Sequence, residues 1–243
     1  MNNKNNLLLP AIIASAAIII SAVIIALTWK SNYASNQTIN VTGSAERDII
    51  SDLGVLRGTI TTEAATADDA YRELSKMKPI LISYLSSKGF PENKIDFYTI
   101  NSFPVYEIGA NGYQTGIIRA YNYNQRIEIQ SENVNKIKEI SLDIPSLIER
   151  GVNFNVEQPE YHYTKLASLK IDTQSDAAKD AMVRAEKIAK ATGRSLGPMR
   201  DARMGVIQIT PKLSNQVSDY GINDLSSIEK QIIAVVNASF EIE

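Results

Sequence analysis

Chemistry in this chain of 243 residues must come from oxygen, from amines and from one imidazole, because there is no Cys and a single His. Without thiols there is no thiolate nucleophile, no disulfide and no thiolate metal centre. The imidazole is His162, in Tyr161-His162-Tyr163. It would serve as a general base or a metal ligand, but a lone His between two Tyr on a strand reads as a packed or surface residue. A Ser-His-Asp triad would have to use it, and no Ser stands in a G-x-S-x-G elbow. Gly109 to Gly116 is glycine-rich but lacks the Lys-Ser/Thr of a phosphate loop, so it reads as a hairpin turn. Asp68 and Asp69 could attract a cation, yet carboxylates at a helix start already answer the helix dipole there. Among 27 Asp and Glu, none is singled out as an acid-base pair. The sequence therefore predicts no catalytic, cofactor-binding or metal site, and the chain is read as a non-enzyme without a cofactor.

The element that positions everything else is Leu7 to Trp29, LLLPAIIASAAIIISAVIIALTW, free of charge and bracketed by Lys4 and Lys30. As a helix it reaches about 30–35 Å, enough to cross a bilayer core. It has no polar face for a soluble setting. Signal-peptide apolar regions run ~7–15 residues. This run is longer, and the nearest cleavage candidate, Asn32-Tyr33-Ala34, begins with a poor residue, so an uncleaved signal-anchor is expected. Lipid attachment through Cys is excluded. A short tail of residues 1–6 is expected to stay in the cytoplasm. Residues 30–37 then form a polar linker, and residues 38–243 lie beyond an inner bacterial membrane, in the periplasm. Ala11, Ser15, Ala22 and Ala26 fall near one face and would let spans approach closely. The formal charge is −2, with both signs interspersed, which argues against a nucleic-acid partner.

Beyond the anchor, alternation predicts strands at Thr38–Ser44, Ile50–Thr62, Ile95–Ser102, Ile117–Gln130, Val152–Tyr163, Arg200–Thr210 and Ile233–Ile242. Glu46–Asp48 reads as a polar turn. In Ile117–Gln130 one face carries Tyr121, Tyr123, Ile127 and Ile129, and the wet face carries Asn122, Asn124, Arg126, Glu128 and Gln130. Asn111-Gly112 predicts two positive-φ residues in a tight turn. Helices follow the caps Thr66 and Asn133, and a third runs over Thr173–Thr192 with Ala178, Ala181, Met182, Ala185, Ile188 and Ala189 inside. Gly89, Gly151 and Gly193 stop the three. Pro211–Leu225 reads as a polar loop. The expected fold is α+β: a mixed, mostly antiparallel sheet with about three packed helices, as one domain or two joined halves, after one N-terminal transmembrane helix.

Several segments carry a resemblance: INVTGSAE at Ile39–Glu46, FYTINSFPVY at Phe97–Tyr106, LIERGVNF at Leu147–Phe154, RAEKIAKATGRSLG at Arg184–Gly197, ARMGVIQIT at Ala202–Thr210 and VVNASFEI at Val235–Ile242. Their order and spacing make residues 38–243 resemble the SIMPL-domain family of bacterial envelope proteins. The resemblance implies a periplasmic or surface-exposed domain that tends to homo-oligomerise, with a link to stress tolerance in some members. It offers no catalytic motif. The expected function is that of a non-enzymatic, membrane-anchored envelope protein, held through Leu7–Trp29 and assembling into a large homo-oligomer. The alternative is an envelope binding module whose Gly109–Gly116 hairpin and Pro211–Leu225 loop capture a protein or small-molecule partner.

Overall fold

The computed structural model describes residues 8–34 and 37–242. Helix α1 (Leu8–Ala34) comes first. It continues five residues past Trp29, into the segment expected to be linker, because Lys30 to Ala34 contain neither Gly nor Pro to stop it. Ser35 and Asn36 of that segment, the tail Met1–Asn6 and Leu7, the first residue of the expected anchor, lie outside the described residues.

The remaining chain divides into two compact units, each drawn from separate stretches of sequence. The strands are β1 (Thr38–Ile50), β2 (Leu53–Ala64), β3 (Ile95–Ile108), β4 (Gln114–Ser131), β5 (Phe154–Val156), β6 (Glu160–His162), β7 (Leu196–Met204), β8 (Gln208–Pro211), β9 (Ile222–Asn223) and β10 (Glu229–Ile242). Helices α2 (Ala67–Ser87), α3 (Val134–Asp143) and α4 (Leu166–Ala191) stand between them. One five-stranded sheet has the order β1-β10-β8-β9 with β7 also on β10; the other has β3-β4-β2-β5 with β6 also on β2. Strands β8 and β9 pair in parallel, whereas β10 with β7, β2 with β4, β5 and β6, and β3 with β4 pair antiparallel. The fold is α+β, as expected.

The first unit holds the start of β1, most of α4, β7 and the end of β10. Its core is made of small residues. Thr173, Ala177, Ala181, Ala185 and Ala189 recur every four residues and are buried, against Val41 of β1 and Val236 and Phe240 of β10. The expected stripe was wider. Met182 and Ile188 are about half exposed, because an alanine row brings the helix so close that larger neighbours are pushed to its flanks. Gly43 shows how close. A Cβ there would lie 2.2 Å from the Ala177 carbonyl oxygen and 2.3 Å from the Ala181 nitrogen.

The second unit places α2 and α3 on one face of β3-β4-β2. Leu56 and Ile60 of β2, Ile127 and Ile129 of β4, Leu74, Leu81 and Leu85 of α2, and Ile137 and Ile140 of α3 form its core. Each such fully buried side chain is worth about 1.5–3 kcal/mol. Thr66 caps α2 by accepting from the Asp69 amide, and Asn133 caps α3 by accepting from that of Lys136. Gly89, at φ 86°, closes α2: its amide bonds to the Ser86 carbonyl, and that of Phe90 to Leu85. This is the paired bonding that an αL residue makes possible.

Several boundaries differ from expectation: α4 begins at Leu166 and β10 at Glu229, both earlier than read, β3 runs on to Ile108, and β9 falls inside the segment read as a loop. Strand β1 runs straight through Glu46–Asp48 because the inward side of its alternation continues through Ala45 and Arg47 to Ile49; the chain turns only at Ser51-Asp52. Val152–Tyr163 splits into β5 and β6 around Pro159, which can donate to no ladder. Arg200–Thr210 breaks at Gly205–Ile207 into β7 and β8. Ile148 points outward, 62% exposed, because Pro145 converts the end of α3 into a 3-10 turn that rotates it off the core.

Substituting Gly43 by Val is expected to lower stability by about 3 kcal/mol, because backbone atoms must move to admit the side chain. Thermal unfolding followed by circular dichroism checks this; an unchanged midpoint would contradict the close approach.

Candidate functional site

The face of β3-β4-β2 that carries Arg57, opposite the helix-facing Leu56 and Ile60, gathers the densest set of titratable groups in the second unit. Register places Arg57 of β2 directly across from Glu128 of β4, and Val55 across from Glu160 of β6. Arg57 Nε donates to Glu128 Oε2 at 2.6 Å, and its Nη1 lies 2.8 Å from Glu160 Oε1. Gln130 Nε2 donates to Glu128 Oε1 at 2.7 Å, and the Tyr98 hydroxyl to Oε2 at 3.3 Å. His162 Nε2 sits 3.1 Å from Glu160 Oε2.

This corrects the reading of β4 as having one buried and one wet face. Glu128, placed on the wet face, is buried at 7% exposure, while Tyr121 and Tyr123 on the core face are only half-buried. Alternation locates the face but not what covers it. Here the cover is the Arg57 guanidinium with Gln130 and Tyr98, a cross-strand arrangement that no single segment reveals.

The electrostatics follow. The Glu128 and Glu160 hydrogen bonds hold the Arg57 guanidinium firmly in its charged form. Burial pushes the Glu128 carboxyl up, but hydrogen bonds from Gln130 and Arg57 outweigh it and leave it below its ordinary value. Glu160 is lowered chiefly by its bond from Arg57. Acid catalysis needs a carboxyl pushed up towards neutrality. Both carboxylates here are pushed down and held by donors from neighbouring strands, so the cluster locks three strands together.

The other expected groups are placed as follows. Asp68 pairs with Arg72 at 2.7 Å, and Asp69 accepts from the Thr66 hydroxyl at 2.7 Å, so both serve the start of α2. Among the described residues no three His, Asp or Glu side chains converge to hold a metal ion. The Gly109–Gly116 segment is a hairpin, as read, but of a different turn type. Only Gly112 has positive φ, at 78°. The Gly112 amide bonds to the Gly109 carbonyl, that of Gly109 to Tyr113, and Asn111 Oδ1 accepts from the Tyr113 amide. Three residues thus make the loop, and the Asn111 side chain does what its backbone was expected to do.

One buried group was missed. Lys230, at 2% exposure, donates from Nζ to the carbonyls of Tyr161 and Asp224, each at 2.5 Å. Burial lowers its pKa, against the pull of the Asp224 carboxylate. It ties the Pro211–Leu225 loop to β6. The sequence holds one signal for it, a Lys in line with the buried Ile232, Ala234 and Val236. Next to it lies a cavity of about 610 Å³ lined by Lys138, Tyr161, Lys212, Leu213, Ser226 and Ser227. A second of similar size is lined by Gly89, Phe90, Lys94, Asn133 and Lys136. Both carry mixed polar lining, and of the Arg57 cluster only Gln130 borders one of them, the second.

A helix long and apolar enough to span a membrane, followed by an α+β body, defines the class. The family model described as SIMPL, protein of unknown function (DUF541), matches residues 39–240. The chain belongs to the SIMPL family. No curated protein matches it.

Replacing Arg57 with Met strands Glu128 as a buried, unpaired carboxylate and is expected to cost about 3–5 kcal/mol. The lowered pKa values of Glu128 and Glu160 give stability that is present above the ordinary carboxylate value of 4.5 and lost as pH falls through their folded values. In the variant this loss should begin at higher pH. Acid titration of both proteins by circular dichroism reads the difference; superimposable curves would contradict the linkage.

Proposed function

We propose that this chain is a non-enzymatic envelope protein anchored in a bacterial inner membrane. Its SIMPL domain stands in the periplasm and assembles there into a large homo-oligomer that contributes to tolerance of envelope or oxidative stress. The observation that carries the anchor is the surface of α1. Pro10–Trp29 contains an 18-residue stretch of mean hydropathy 2.7, none of it buried within the chain. Water would penalise that surface heavily, and lipid is the solvent that accepts it.

Assembly is supported by the edges. Strand β3 lies at the end of its sheet order and pairs, among the described residues, only with β4. Proteins pair, cover or blunt such edges. The ion pairs that hold the Arg57 cluster favour a structural over a chemical role for it. A second reading, capture of an envelope partner, draws on one observation: Leu213, Val217 and Tyr220 of the Pro211–Leu225 loop are 79–97% exposed, and Leu213 holds a left-handed backbone at φ 65°.

Light scattering of the full-length protein in detergent, with the detergent mass subtracted, tests assembly. A multiple of the chain mass is expected; the mass of a single chain overturns the reading. Removal of residues 1–36 should leave a folded body that no longer partitions into membranes and still self-associates.

A further inference from the structure

Strand pairing between β2 and β4 ends at Ala64 opposite Tyr121. Beyond that point β3 and β4 continue together alone, to Ile108 opposite Gln114. Tyr106 to Arg119 therefore form a two-stranded arm that projects past the rest of the sheet. A free two-stranded ribbon is marginally stable in water. This one exposes Ile108 at 73%, Tyr113 at 75%, Ile117 at 60% and Ile118 at 42%. Because Ile117 and Ile118 are consecutive and both exposed, the apolar surface is not confined to one face. Solvent-exposed arms without function are normally polar, and clustered apolar side chains mark a contact surface.

Resting on the assembly proposed above, we infer that this arm is the contact between copies: it inserts against the body of a second copy of the chain. Three observations select that occupant. The arm carries only Glu107 and Arg119 as charges, and Arg119 is already paired with Glu63 at 2.8 Å, so no charged partner is specified. Its register shifts twice between Val105 and Ile108, which leaves open-edged, irregular backbone. Such backbone is excluded from hydrocarbon, where each unpaired group costs several kcal/mol, but is tolerated against protein that offers polar partners. Finally, α1 confines every copy to one bilayer, which raises their effective concentration for each other above that of any diffusing partner. Pro104 and the register shifts blunt the arm against open-ended strand-to-strand stacking, so side chains carry the contact.

The chain has no Cys, so Ala110→Cys at the tip takes a single nitroxide label in the full-length protein in phospholipid vesicles. Dipolar coupling between copies is expected, and should vanish on dilution with excess unlabelled chain before reconstitution. Adding Ile117→Lys and Ile118→Lys should abolish the coupling and reduce the particle in detergent to the mass of a single chain, with circular dichroism unchanged. Tyr113→Asp, at the loop tip, gives the same reading should the double variant fail to fold. A variant that keeps its mass overturns the arm contact and leaves assembly standing. A wild-type protein with the mass of a single chain overturns both. A label that meets oxygen in the lipid more than a water-soluble nickel complex, without coupling, shows lipid covering the arm and also overturns the inference.

Discussion

Both units depend on removing side chains where helix and sheet meet. In one, Gly43 and a row of four alanines bring α4 down to backbone contact with β1. In the other, Gly54 and Gly58 of β2 clear room for Ile137 and for the Phe154 ring, which a Cβ at Gly58 would meet at 2.2 Å. Dispersion and burial fall off steeply with distance, so a close approach gives even a core of alanines enough contact. The cost is rigidity of sequence, since no larger side chain can enter these positions without moving backbone. The second unit adds larger aliphatic residues around its glycines, which explains its more conventional core.

Much of this fold was legible in the sequence because it is written in local terms. Caps at Thr66 and Asn133 and the stop at Gly89 are decided within four or five residues, and the structure places them as read. What escaped depends on neighbours distant in sequence. Glu46–Asp48 looks like a turn by composition, yet its strand persists because Ile49 still has an inward place to fill. Glu128 looks solvated until Arg57 and Gln130 are brought across from it. Lys230 looks like a surface cation until two carbonyls close over it. In each case tertiary pairing overrides a local preference, and only the register of strands far apart in the chain reveals the partner. The resemblance carried by segments such as INVTGSAE and RAEKIAKATGRSLG was sufficient to place the family, whose matched span, residues 39–240, nearly coincides with the body read from composition.

The polar cluster around Arg57 illustrates how charge can serve shape. A guanidinium held between two carboxylates fixes the mutual register of β2, β4 and β6 in a way that apolar contacts, which tolerate sliding, would not. A shift of β4 by one residue would leave Glu128 on the core face and Ile127 in its place, and both changes are costly. The cluster thus acts as a pin for a sheet whose longest strands have no other polar side-chain pairing as deeply buried among the described residues.

The persistence of α1 to Ala34 limits what the body can reach. From Ala34 to Thr38, where β1 begins, four peptide steps extend at most about 14 Å, and the Gln37 carbonyl is already bonded to the Ile242 amide. With α1 seated in a bilayer as proposed, the domain would explore the bilayer plane and the layer next to it. In that arrangement its search would be two-dimensional, and a partner would have to come to the membrane surface or reside there.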